Sequence, residues 1–352
     1  MLIFGMLLNI FEQNYATVVH RFSLIEGVRC FGPPYPFFMF STRNIDIFKL
    51  GFCKTHSFIR ILRVFSLAFV VIHLAGGLLF SRELPPSGSP ENPLRMIFVP
   101  SGDTQTILEG GEEIARLLSL STGLTIKSSV ATSYAAATEA IGAKKVDIGW
   151  LATFSYVLAK EKYDVELLLV VSRFGSPFYR GQIVVSSDSG INNLSDLKGK
   201  TFAFVDPAST SGHIFIKTLL LSNGYDPDTF FSKSLFAGSH NAVIFSVLRG
   251  EVDAGATYDD ARAAIAKTYP KVFEKTKVIT YTQYIPNDTV CARNGLDPRI
   301  KEKVRRGLKS LSKSKEGAKI FKKVYGISGL IDFDAMFDPV RNAQKLLKMD
   351  LN

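Results

Sequence analysis

The chain has 352 residues, 46% apolar and 12% aromatic, enough for two domains with buried cores. Its formal net charge of +10 is spread along the chain, and the lysines of 301–323 alternate with Leu, Ile and Phe at helical spacing. Solvated helix faces give that pattern, which argues against a nucleic-acid-binding surface. Three cysteines, Cys30, Cys53 and Cys291, exclude a disulfide framework, and Cys291 reads as a small apolar core residue.

Residues 1–57 are rich in aromatics, carry Gly32-Pro33-Pro34-Tyr35-Pro36 and show no clean period. They fit a translated stretch upstream of the working start. In 58–80, Arg60 and Arg63 precede an apolar run from Val64 to Phe80. A positive flank and a run of this length describe a signal peptide or an uncleaved signal anchor. Leu74-Ala75-Gly76-Gly77 lacks the cysteine that a lipid anchor needs. Residues 81–93, with Pro85-Pro86-Ser87-Gly88-Ser89-Pro90, read as an unpacked linker.

From Leu94 the pattern is strand, helix, strand, repeated: strands at 95–99, 125–130 and 146–150, helices at 106–119 and 134–143. This predicts α/β lobes with mostly parallel sheets. An internal repeat supports two such lobes. Val146-Asp147-Ile148-Gly149 recurs as Val252-Asp253-Ala254-Gly255, and the same offset of 106 pairs Phe98-Val99 with Phe204-Val205 and Tyr134 with His240. The runs 179–185 and 277–281, the latter leading to Tyr284-Ile285-Pro286-Asn287-Asp288, are expected to cross between lobes as a hinge. The chain after them is expected to be helical to its end. The division is then a leader at 1–80, the linker 81–93, lobe 1 at 94–183 and 284–352, and lobe 2 at 184–283. A ligand would sit between the lobes, at strand ends and helix N-termini.

The most distinctive stretch is Asp206-Pro207-Ala208-Ser209-Thr210-Ser211-Gly212-His213. It follows an apolar strand at 201–205 and opens a helical run. Three consecutive hydroxyls beside unpaired backbone N–H groups suit a tetrahedral oxyanion; an ordinary N-cap with spare serines is the plainer alternative. Tyr134 and His240 open matching helices, so both would face the same cleft. Asp259 and Asp288 follow strands and are either helix caps or acceptors for a cationic or protonated group of a ligand. Trp150 reads as core. Asp147 and Asp253 read as repeat-related turn or hinge residues.

With these residues in place, the stretch from about Leu94 to Phe337 resembles the substrate-binding proteins of phosphate, phosphite and phosphonate ABC transporters. The resemblance is carried by Ser133-Tyr134 with Glu139-Ala140, by the two Val-Asp-x-Gly strands, and by Tyr179-Arg180-Gly181-Gln182-Ile183-Val184-Val185. Ser209-Thr210-Ser211-Gly212, Gly238-Ser239-His240-Asn241-Ala242-Val243 and Ile285-Pro286-Asn287-Asp288 complete it. It implies a type II periplasmic-binding fold, two α/β lobes joined by two crossing hinge strands that close over the ligand. It implies that Ser209, Thr210, Ser211, Tyr134 and His240 hold the oxygens of a small phosphorus oxyanion. In members that take 2-aminoethylphosphonate, acidic residues and a Tyr hold the ammonium; Asp259, Asp288 and Tyr179 stand at those places. Asn241 stands where an acid is expected, and Asp259 is shorter than the Glu of aminoethylphosphonate binders.

The function implied is that of an exported, periplasmic or extracytoplasmic binding protein, a monomer without cofactor or metal. It would deliver its ligand to an ABC permease in the cytoplasmic membrane, the apolar N-terminal segment serving as signal or anchor. Two other readings compete: an enzyme and a ligand sensor, since relatives of the fold serve thiamine-precursor synthesis or sensing. Ser211, His240 and Asp288 form a catalytic set on paper, but no nucleophile elbow and no metal-ligand spacing accompany them.

Overall fold

The computed structural model describes residues 84–332 and 337–347; the expected signal segment lies outside the described residues. In chain order the first elements are β1 (Leu94–Phe98), α1 (Thr104–Thr122), β2 (Ile126–Val130), α2 (Tyr134–Gly142), β3 (Ile148–Leu151), α3 (Thr153–Tyr163), β4 (Glu166–Ser172) and β5 (Phe178–Ser186). Then come β6 (Thr201–Phe204), a wide turn at Thr210–Ile214, α4 (Phe215–Ser222), β7 (Lys233–Phe236), α5 (His240–Leu248), β8 (Ala254–Tyr258), α6 (Ala261–Ile265) and α7 (Val272–Lys275). The chain closes with β9 (Thr276–Pro286), β10 (Thr289–Ala292), α8 (Pro298–Lys313), α9 (Lys315–Tyr325), β11 (Gly329–Ile331) and α10 (Asp338–Leu346).

The strands form two sheets, one ordered β11-β4-β10-β3-β1-β2 and the other β7-β6-β8-β5-β9. The repeat is visible in both. β1 pairs in parallel with β2 and β3, and β6 pairs in parallel with β7 and β8. The remaining pairs are antiparallel, so the sheets are mixed rather than mostly parallel. β10 and β11 also interrupt the expected helical C-terminal region. β10 is buried at every position and β11 is three residues long, so neither shows the alternation that marks a strand in sequence.

β5 and β9 pair from Phe178↔Pro286 to Ser186↔Thr276, carrying the chain out of the first lobe and back. Their lobe 1 ends are tied to that lobe: the Asn287 N–H donates to Pro177 O and the Val171 N–H to Asp288 O. A continuous apolar cluster runs between the lobes, with Ala137, Phe154 and Tyr156 on one side and Val184, Val205, Ile214 and Phe215 on the other.

The repeated Val-Asp-x-Gly motif has a structural cause. Asp147 Oδ2 accepts the Arg95 N–H at 2.8 Å, and Asp253 Oδ2 accepts the Thr201 N–H at 2.8 Å, so each carboxylate ties its strand to the start of the lobe's first strand. The glycine lets a helix press on the strand. A Cβ on Gly149 would lie 3.1 Å from Ile141 Cδ1, and one on Gly255 would lie 2.4 Å from Val243 Cγ1. Trp150 is core, stacked on Phe98 at 5.3 Å. Cys291 is buried, and burial pushes its thiol up to about 12.

One expectation fails at the linker. Gly88 is buried and its N–H donates to Asn92 O at 2.8 Å, while its carbonyl accepts the Thr125 N–H at 2.7 Å. Proline and serine here build a tight turn docked at the entry to β2, because that turn satisfies backbone groups ahead of β1.

Overpacking makes a direct test. Gly255→Ala should lower unfolding stability by about 1–3 kcal/mol, and Gly149→Ala, with more room, by less. Urea denaturation of both variants measures the difference; equal stability of Gly255→Ala and the parent would contradict the close helix-on-strand contact.

Candidate functional site

The Thr210–Ile214 turn is wider than an α-helical turn: the Ile214 N–H donates to Ser209 O, five residues back. Gly212 permits it to lie against the end of its strand, since a Cβ there would sit 2.4 Å from Val205 Cγ2. Ser209, Thr210 and Ser211 are all buried. Ser209 Oγ accepts the Gly212 N–H at 3.2 Å, and Thr210 Oγ1 accepts the Phe154 N–H at 2.9 Å. The Ser211 hydroxyl is near Tyr179 and favours its phenolate, against the larger effect of burial. A hydroxyl whose oxygen already accepts an N–H retains its own proton for donation. Ser209 and Thr210 are therefore held as donors.

Thr210 belongs to one lobe and Phe154 to the other. Phe154 lies in the first turn of α3, a helix with no side-chain cap of its own, so the cap comes from across the interface. Two further helix starts meet there. Ser133 caps α2, and the Tyr134 N–H donates to Asp206 Oδ2 at 3.3 Å. Ser239 caps α5, and the His240 N–H donates to Ser101 O at 3.1 Å. Three helix N-termini thus reach the lobe interface, each a partial positive charge, and the α3 start meets the hydroxyl turn itself.

His240 is buried. Its Nδ1 lies 2.8 Å from Thr257 Oγ1 and accepts the Tyr258 N–H at 3.3 Å. A backbone N–H can only donate, so Nδ1 is an acceptor and the ring proton sits on Nε2. Burial, reinforced by the charge of Arg173, pulls the imidazole down to about 3, so it is a neutral donor at physiological pH. Burial also pushes up the phenols of Tyr134, Tyr179, Tyr258 and Tyr325, with the Asp288 carboxylate adding to each shift, and all four stay protonated.

Arg173 is the residue that sequence reasoning missed. Its Nη2 pairs with Asp288 Oδ2 at 2.8 Å, its Nη1 donates to Asn287 Oδ1 at 2.5 Å and its Nε to Tyr325 O at 2.7 Å. Burial opposes its charge, but the Asp288 carboxylate more than offsets this and holds the guanidinium above its usual range. Its Cζ lies 5.9 Å from the Tyr179 ring centroid. Arg173 ends an apolar strand at a tight turn in which Phe174 and Gly175 both have positive φ; the Phe174-Gly175-Ser176 run was the only sequence signal for it.

Among the expected residues, then, the structure brings together Tyr134, Tyr179, Ser209, Thr210, Ser211, His240 and Asp288. Asp259 is engaged elsewhere. Its Oδ1 accepts the Arg180 N–H at 3.3 Å and its Oδ2 lies 3.7 Å from Arg180 Nε. Burial raises this half-buried carboxyl and Arg180 opposes the shift. Arg180 in turn stacks over Tyr281 at 4.1 Å and Tyr284 at 5.3 Å. Tyr258, Tyr325, Asn287 and Asp206 join the site without having been anticipated.

The sequence matches, over residues 96–336, the family described as ABC transporter, phosphonate, periplasmic substrate-binding protein. The chain belongs to this family. It is 26% identical over 230 residues to the phosphate-import protein PhnD of Mycolicibacterium smegmatis, covering 62% of this chain and 71% of that one. It is 28% identical over 187 residues to the phosphonates-binding periplasmic protein of Escherichia coli, covering 52% of this chain and 55%, about half, of that one. The structure of PhnD1 from Prochlorococcus marinus in complex with methylphosphonate superposes with a TM-score of 0.66 at 20% identity, over 73% of this chain and 98% of that one. That likeness is one of fold, and the fold is the type II periplasmic-binding one. Family members are substrate-binding transport proteins located in the periplasm. No helix among the described residues is long and apolar enough to cross a membrane.

The neutral His240 makes a pH prediction. Its folded pKa lies below the unfolded value near 6.5, so between about pH 6.5 and 3 the unfolded chain binds more protons, and stability falls as pH falls through that window. His240→Asn should remove up to about 1.4 kcal/mol per pH unit of this slope between pH 6 and 4.5. Denaturant midpoints at several pH values measure it; identical slopes in both proteins would mean that the ring is charged in the folded state.

Proposed function

We propose that this protein is the extracytoplasmic substrate-binding component of an ABC transporter and that it captures a phosphonate, phosphite or phosphate-type oxyanion between its lobes. The observation that carries the reading is the set of neutral donors at the lobe interface. Ser209 and Thr210 have oxygens already occupied by N–H groups, His240 has its proton on Nε2, and Tyr134 and Tyr179 are protonated. Helix N-termini at the interface add positive potential. A tetrahedral oxyanion is matched by donors from both lobes, and its binding favours the closed arrangement over an open one. Family membership supports the same ligand class. The delivery partner is an ABC permease in the cytoplasmic membrane, and the binding protein acts as a monomer.

The enzyme reading gains no support from the site. His240 Nδ1 is held by Thr257 and Tyr258, and Asp288 is paired with Arg173. The acid that would orient the imidazole is paired with an arginine, and the ring nitrogen it would hold has other partners.

Thr210→Val keeps the shape and removes both the donor to the ligand and the acceptor of the Phe154 N–H that joins the lobes. It should weaken binding of phosphite or methylphosphonate by about 1.5–3 kcal/mol, roughly 10- to 150-fold. Calorimetric titration reads this directly. Unchanged affinity in both Thr210→Val and Ser211→Ala would remove the hydroxyl turn from the site.

A further inference from the structure

Three carboxylates among the described residues near the site already have partners. Asp206 accepts the Ala208 N–H at 2.8 Å on Oδ1 and the Tyr134 N–H on Oδ2. Asp259 is held by Arg180, whose guanidinium is stacked over two tyrosines. Asp288 is paired with Arg173, and that pair is desolvated, with side-chain exposures of 15% and 23%. The pair is also braced. Asn287, which accepts from Arg173, donates its Nδ2 to Ser176 O at 3.2 Å and its N–H to Pro177 O at 2.9 Å. Arg173 Nε is anchored on the Tyr325 carbonyl. The guanidinium is thus fixed from three sides.

From this geometry we infer that Arg173 sets which phosphorus oxyanion the protein accepts: by occupying Asp288 it withdraws the carboxylate that a ligand ammonium would need, so the ligand is an oxyanion without a cationic tail. The inference rests on the oxyanion reading above and narrows it. A ligand ammonium at Asp288 would have to displace the guanidinium from Oδ2 or share the carboxylate with it. Displacement would leave a buried cation unpaired, and sharing would set two cations against one acid; both are costly. An oxyanion without a tail leaves the pair intact and gains from the nearby positive charge. Arg173 is here a specificity residue, acting through the acid that it holds.

The test is calorimetric titration of the full chain with methylphosphonate, phosphite, phosphate and 2-aminoethylphosphonate, repeated on Arg173→Gln and Asp288→Asn. The unaltered protein should bind methylphosphonate at least about tenfold more tightly than 2-aminoethylphosphonate. Arg173→Gln frees the acid and should narrow that ratio by about tenfold or more, whereas Asp288→Asn frees the guanidinium and should widen it by tightening methylphosphonate. The two variants move the ratio in opposite directions, so either one that folds is decisive. Equal or tighter binding of 2-aminoethylphosphonate by the unaltered protein would overturn the role of Arg173 while leaving the oxyanion reading intact. A ratio unmoved in both variants would do the same. Binding of none of the four ligands would overturn the oxyanion reading itself.

Discussion

The hydrogen bond from the Phe154 N–H to Thr210 Oγ1 joins the two lobes at a point buried from solvent. An unpartnered N–H there would cost about 1–3 kcal/mol, so the α3 start cannot be left bare in a closed molecule. The same constraint acts at each helix start that reaches the interface. The Tyr134 N–H is met by Asp206, and the His240 N–H by Ser101 O. The interface is rich in donors and is stitched together by oxygen atoms from the opposite lobe. An anion that supplies oxygens at this place reinforces what already holds the lobes together, which is why closure and anion capture belong to one account.

The internal repeat puts the donors where they meet. Each lobe carries a parallel trio of strands with a serine-capped helix between its second and third members. Each trio is tied at one end by an Asp of the Val-Asp-x-Gly motif, and each has a glycine that brings the helix close to the sheet. With the helix set by the same device in both lobes, the residue after each cap, Tyr134 in one and His240 in the other, arrives at the interface. β5 and β9 join the two units, with the site at the lobe 1 end of both strands.

Much of this was legible in the sequence because it depends on local patterns. Caps, apolar runs and a fixed offset are short-range features, and they put Tyr134, His240 and the hydroxyls each at a helix start, where the structure also has them. The missing parts depend on long-range pairing. β10 and β11 pair with strands far away in the chain and are too short to announce themselves. Arg173 comes from a tight turn, Tyr325 from the end of α9, and Tyr258 from the last position of β8; nothing in their own neighbourhoods says that they come together. The partners of Asp259 and Asp288 were hidden for the same reason. Read alone, each acid looked available to a ligand cation. Folding shows that each faces an arginine, and Arg180 lies within the very segment, 179–185, that served as a strand marker.

The most direct test of the account is a crystal structure of the full chain with methylphosphonate. The account predicts one ligand between the lobes, its oxygens within hydrogen-bond distance of the Ser209, Thr210 and Ser211 hydroxyls and of His240 Nε2, with the Arg173–Asp288 pair unbroken. A ligand held by one lobe only, or bound away from the hydroxyl turn, would contradict it.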